Sequence, residues 1–308
     1  MTRANVPHII SDDSALGGQL VSGSLRFRSA NNTVLRRTHT SVGNKKTFTF
    51  SCWCKRALMG STHNFLISSS GNGEFFKFGF RTDNRFEINT TFGGSDSAQL
   101  ISTARFRDRS AWYHIVVAFD TTQGTSTNRV KFYVNNTLIT DYDLGTYPSQ
   151  NDQSSVNDNV MHEVGNQRGT TRYFDGYMTE VNMIDGQQLE PTAFGYTESQ
   201  TGIWRPKKYT GTFGNNGFNL PMNGSSHVGR DMSGNGNDFT LVMSGTVPIE
   251  RATGAFPIMN TNSGATIPRP GFRPDPFASN LVLAATFSDP SDTPVSYTHL
   301  RAHETRRY

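Results

Sequence analysis

Cysteine is nearly missing from this chain. Its two thiols, Cys52 and Cys54, stand two residues apart. On an extended strand they point to the same face, in a geometry that does not favour a mutual disulfide. They read as two small apolar groups for a core, and nothing requires an oxidising compartment. Charge is sparse as well, at 18% of 308 residues with a formal net of +4. Too little of it is clustered for the basic stripe that a nucleic-acid surface needs. Long apolar runs are lacking. The opening MTRANVPHIISDDSALGG holds none long enough for a signal peptide, and no stretch is long enough to span a bilayer. Also missing are a G-x-S-x-G elbow, a phosphate-cradling glycine loop and an H-E-x-x-H pair, and with them three common catalytic signatures.

What is present favours strands. Hydrophobic residues make up only 34%, and Ser, Thr, Asn and Gly fill the gap; 22 Phe point to an aromatic core. Thr47–Arg56, TFTFSCWCKR, alternates cleanly: Phe48, Phe50, Cys52 and Cys54 share one face, Thr49, Ser51, Trp53 and Lys55 the other. Trp112–Asn136 reads as a hairpin. Its first arm, to Asp120, is apolar at nearly every position. Thr121–Asn128 is loop chemistry, and Val130, Phe132 and Val134 alternate with polar residues. Asn135-Asn136 offers a turn, because Asn tolerates left-handed backbone angles. Further strands are predicted at Ser24–Arg28, Asn64–Ser69, Glu74–Phe80, Arg85–Asn89, Leu100–Thr103, Met161–Gly165 and Tyr173–Ile184, with one short helix near Glu190-Pro191. Regularly spaced short strands separated by turn clusters predict an all-β, antiparallel two-sheet jelly-roll sandwich with an irregular C-terminal extension.

The chain divides, on this reading, into an irregular lead-in (1–20), the sandwich (21–200), an associated extension with a Gly/Asn turn (201–244), and a Pro-rich linker with a truncated next module (245–294). The last residues, 295–308, VSYTHLRAHETRRY, differ in composition from everything before them. They read as the in-frame translation of a sequencing adapter, which would cut the natural protein near Pro294.

Five segments carry a family likeness: SLRFRSANNTVLRRT, TFTFSCWCKR, AWYHIVVAFDTT…NRVKFYVNN, YFDGYMTEVNMIDGQQLEPTAFG and GRDMSGNGNDFTL. In that order they resemble the laminin-G-like, concanavalin A-like jelly-roll domains of marine bacteriophage proteins. The resemblance covers about residues 24–243. It implies a non-catalytic module of a virion or tail-fibre protein, located in the virion. It implies as partners a glycan or host-surface protein and other virion proteins, with self-association into a homo-oligomer open. Nucleic acid and membrane are not expected partners. The rivals are a structural spacer and a laminarinase-like hydrolase of the same fold.

That hydrolase would need carboxylates on alternate positions of one strand, Glu-x-Asp-x-(x)-Glu, facing the sugar together. The chain has no such string. Asp175, Glu180 and Asp185 come nearest, and their odd spacing is expected to turn Glu180 away from the other two. The chain is therefore read as no enzyme. Trp53 and Tyr133 face away from their strands' apolar sides and are candidates to line an open sheet face; Trp204 and Tyr209 are candidates for a binding edge or a strut. No cofactor is required. Calcium is the one metal the chain offers a place for: Asp231, Ser233 and Asn235 match half of a calcium loop, but Val242 stands where the bidentate Glu belongs, so a hydrogen-bonded turn is the competing reading. His114, inside a strand, is expected to be a hydrogen-bonded core residue.

Overall fold

The computed structural model describes residues 18–253, apart from positions 20, 22, 61–63, 72–73, 93–94, 168–170, 200, 223–227 and 245–250. These residues fall within one compact unit, Met1–Met259. Most of the Pro-rich segment with its truncated module, and the suspected adapter tail, lie outside the described residues.

In chain order the strands are β1 (Gly23–Phe27), β2 (Val34–Thr38), β3 (Thr47–Arg56), β4 (Asn64–Gly71), β5 (Glu74–Phe80), β6 (Arg85–Phe92), β7 (Ser95–Arg105), β8 (Tyr113–Asp120) and β9 (Val130–Val134). There follow β10 (Thr137–Ile139), β11 (Tyr142–Thr146), β12 (Met161–Val164), β13 (Gly176–Asp185), β14 (Gly195–Thr197), β15 (Trp204–Pro206), β16 (Phe218–Leu220), β17 (Thr240–Val242) and β18 (Arg251–Thr253). The described helical structure is 3-10 turns alone, one of them Pro191–Ala193 where the short helix was predicted. No described helix is long and apolar enough to cross a membrane.

Two antiparallel sheets result. The first runs β10-β9-β8-β3-β13-β1-β18, with β16 also on β13; the second runs β11-β7-β6-β5-β4-β12-β2-β17. The fold is therefore the predicted all-β sandwich. Residues 201–253 do more than follow it: β16 and β18 join the first sheet and β17 joins the second. Their three-residue lengths explain why periodicity alone did not mark β16 or β18.

Phenylalanine joins the layers. Phe48 and Phe50 of β3 are fully buried, as are Phe76, Phe78 and Phe80 of β5. Phe48 meets Phe76 edge-on at 5.2 Å between ring centroids, and Phe50 meets Phe78 at 4.7 Å. Phe86 of β6 stacks on Phe132 of β9 at 4.3 Å. Edge-to-face and offset pairs like these add to what area burial alone contributes. Cys52 and Cys54 are buried free thiols on the same face.

A bulge in β13 breaks the simple alternation. Thr179 pairs with Trp53 but Asn182 pairs with Ser51, so the strand gains one residue on its partner. Glu180 takes a left-handed φ of 49° there. At the same place the other edge of β13 changes partner, from β1 at Gly176–Met178 to β16 at Val181–Met183. Thr179 Oγ1 spans the gap with 2.8 Å bonds to the carbonyls of Gly23 and Pro221. The extra residue lets Met178, Val181 and Met183 all enter the core. It also corrects the expected parity: the ten-residue interval from Asp175 to Asp185 no longer puts them on one face.

Gly176 of β13 pairs with Arg56 of β3, and a Cβ there would lie 2.1 Å from the carbonyl oxygen of Lys55. Two paired backbones cannot part locally without losing ladder bonds. Gly176→Ala is expected to cost at least about 2 kcal/mol, read as a lowered denaturation midpoint with unchanged slope.

Candidate functional site

The outward side of the first sheet is covered. Val116, Ala118, Tyr133, Ile184 and Phe194 form a second buried cluster, with Leu189, Tyr209 and Phe213 packed on it. The covering strap, residues 186–213, is pinned by Thr49: its Oγ1 donates to Gln187 O at 2.7 Å and accepts from Leu189 N at 2.8 Å. β14 and β15 pair within the strap.

This covering decides the fate of the aromatic candidates. Trp53 is 3% exposed and Tyr133 5%, so neither lines an open sheet face. Trp53 stacks on His114 at 4.8 Å, and the Tyr133 hydroxyl donates to Glu190 of the strap. Trp204, half-buried, donates from Nε1 to His114 Nδ1 at 3.0 Å. Tyr209 packs between Phe194 and Phe213 at 5.2 and 5.0 Å. The four residues stand together along one seam, as struts that fasten the strap. Polar-side position in a strand signals solvent only when nothing is layered on that side, and the layering comes from residues more than 50 positions away.

His114 anchors the seam. With Nδ1 accepting from Trp204, the Nε2–H faces Ser51 Oγ at 2.9 Å. Burial lowers its pKa to about 3, which keeps it neutral. His162, whose Nδ1 faces Val160 O, is lowered to about 4 by burial, and neighbouring His39 is lowered further, again chiefly by burial.

The half calcium loop is a turn. Asp231 Oδ1 accepts from the backbone N–H groups of Asn219 and Ser233, and Oδ2 from Asn237 N and Ser233 Oγ, all within 2.9 Å. Asn235 spends its amide on Gly214 O and Gly217 O. The Asp231 lone pairs that a cation would need are engaged by donors. Among the described residues no group of three or more His, Cys, Asp or Glu is placed to hold a metal ion.

The second sheet offers a different surface. Its ladder aligns one continuous row across the strands: Thr240, Arg36, Glu163, Ser68, Lys77, Asn89, Gln99 and Thr146. Phe76, Phe78, Ile88 and Leu100, the neighbours in sequence, face the core, so the row belongs to the outward side. Arg36 Nε bonds Glu163 Oε1 at 2.6 Å, and Asn166 Nδ2 bonds Oε2 at 3.0 Å. Beside the row, Glu87 accepts from Arg81 Nη1 at 3.0 Å and Gln99 Nε2 at 2.8 Å. Lys77 Nζ lies 4.8 Å from the Phe75 ring centroid. Asn89 is 4% exposed, yet its Oδ1 has no partner. Amides, a cation and an aromatic ring on one sheet are the groups that meet sugar hydroxyls and a ring's apolar side. Sequence reading passed over the row, because its members come from eight strands and each segment alone shows only a polar position.

Among the described side chains of the row and its neighbours, the carboxylates are Glu87 and Glu163. They lie three strands apart, roughly 14 Å at ~4.8 Å per strand, beyond the ~5–9.5 Å of a glycosidase pair. Each already holds an arginine.

The family described as the concanavalin A-like lectin/glucanases superfamily, of laminin G type, matches residues 28–191. No curated protein matches the chain. A heptameric SAP-like pentraxin from Limulus polyphemus is similar in structure at 11% identity and TM-score 0.41, over 56% of this chain and 81% of its own. The LG4-5 domains of mouse laminin alpha1 reach 11% and 0.38, over 56% and 44%. An enzymatically active domain of a bacteriophage CBA120 tailspike reaches 11% and 0.39, over 59% and 27%.

Two measurements check the seam. Trp204→Phe leaves His114 Nδ1 buried without its donor and is expected to cost about 1–3 kcal/mol in chemical denaturation. Acid should weaken the fold below about pH 6.5. There the unfolded chain protonates its histidines while His39, His114 and His162 stay neutral in the native state, so unfolding takes up protons. Glu180, whose pKa burial raises to about 7, opposes this by holding a proton natively. Three histidines outweigh one carboxyl, and Glu180→Gln should steepen the fall between pH 6.5 and 4.5; a flat profile would contradict both assignments.

Proposed function

The chain belongs to the concanavalin A-like lectin/glucanases superfamily, and from that premise we propose that it is a non-catalytic module that binds carbohydrate or a glycosylated protein. The binding surface is the polar row on the outward side of the second sheet, centred on Lys77, Asn89 and Gln99. The observation that carries this reading is Asn89: a buried amide oxygen without a partner, set in a row of hydrogen-bonding side chains, has an acceptor to offer a ligand. Calling it non-catalytic rests on the separation of Glu87 and Glu163 and on their arginine partners. The ordered likeness of five sequence segments to phage virion domains supports placing the module on a virion, in a tail fibre or similar surface protein. The burial of Trp53 and Tyr133 favours one second reading, a spacer that only positions its neighbours.

A glycan array separates the two. A binding module retains a defined set of glycans, and Lys77→Ala combined with Asn89→Ala should weaken the best of them about tenfold while the melting temperature stays within a few degrees. A blank array favours the spacer. Binding that survives both substitutions moves the site off this face.

A further inference from the structure

One end of the sandwich carries unbalanced positive charge. Arg105, Arg107 and Arg109 are exposed there, Lys55 is half-buried, and Arg56 is 1% exposed. Among the described residues none of these five forms an ion pair. Asp83 holds Arg85 at 2.7 Å and Asp175 holds Arg26 at 2.7 Å, while Asp108, held by Ser110 and Ala111 and attracted to Lys55, offsets only part of the five positive charges.

Arg56 is the centre of this end. Its Nη1 donates to Asn84 Oδ1 at 3.1 Å and Phe106 O at 2.6 Å, tying the β5–β6 turn and the β7–β8 connection to β3. The guanidinium lies over Phe80, 4.4 Å from the ring centroid. Nε and Nη2 have no partner. Those two N–H groups share one edge of the planar guanidinium, the edge that receives two oxygens of a carboxylate or sulfate side by side. Burial, with Arg109 close by, lowers its pKa to about 10, so it stays charged at neutral pH. A buried cation with an open two-donor edge and no carboxylate lacks the partner that buried charges ordinarily have.

We propose that this end of the sandwich binds an anionic group carried on a polysaccharide, a carboxylate or a sulfate. The Nε/Nη2 edge of Arg56 takes two of its oxygens, and Arg107, Arg109 and Lys55 hold the chain beside it. The anion rests on Arg56; the polysaccharide rests on the glycan-binding reading above. Entry requires the exposed segment 107–110 to move outward. That segment is held by the Asp108 turn and by Tyr113, whose hydroxyl lies 3.2 Å from Asp108 N.

The test measures affinity of the full chain for polygalacturonate, dextran sulfate, neutral dextran and a single-stranded DNA, with two variants. R107S/R109S changes exposed side chains; R56K keeps the charge and removes the two-donor edge. One or both acidic polysaccharides should bind, and each variant should weaken binding about tenfold or more, with the melting temperature unchanged in R107S/R109S. Which acidic polymer binds separates carboxylate from sulfate. Should R56K unfold, the double variant decides. Acidic binding untouched by the variants, or equal binding of the DNA, overturns the proposal. Binding of neutral dextran alone overturns it and leaves the glycan-binding reading standing; binding of no polysaccharide removes both.

Discussion

Everything in this fold depends on phenylalanine rings meeting between two sheets. Neither sheet is stable uncovered, because each turns an apolar side toward the other. Phe48 against Phe76 and Phe50 against Phe78 join β3 of one layer to β5 of the other. β3 and β5 are interior strands of their sheets, so this contact holds both layers at their middle. Register follows from it, since a slip of one residue would turn every such ring to the outside.

The two outward sides then part ways. On the first sheet the strap buries a second, smaller cluster and turns Trp53, His114 and Trp204 into a sealed stack. Gly195 has no Cβ because Trp204 occupies that space, 2.3 Å from where one would stand. On the second sheet a polar row crosses the ladder, and the arginine-rich rim lies further along β7, at the end of the strands. With one side sealed and the other lined with hydrogen-bonding groups, the recognition proposed for this molecule is assigned to the second sheet and to the arginine-rich end.

The bulge in β13 shows how local geometry escapes a periodic reading. One extra residue lets a single strand edge serve two partners, β1 and β16, at the cost of a left-handed Glu180. Carboxylates counted along the strand by twos are misplaced after it, as happened with Asp175 and Asp185. The calcium-like loop is a related case: oxygen side chains at alternate positions suit a cation or a set of backbone N–H groups equally, and here N–H groups took them.

Composition and alternation were enough to establish the sandwich, the inward faces of β3 and β5, the hairpin of β8 and β9 and the Asn135-Asn136 turn, because each depends on neighbours one or two residues away. His114 as a hydrogen-bonded strand residue was legible for the same reason. The strap, the way β16, β17 and β18 are shared between the two sheets, the cross-strand row and the lone edge of Arg56 were not. Those depend on which distant segments come to lie on a given side, and a sequence with period two records only that there are two sides. Packing alone decides which of them is closed.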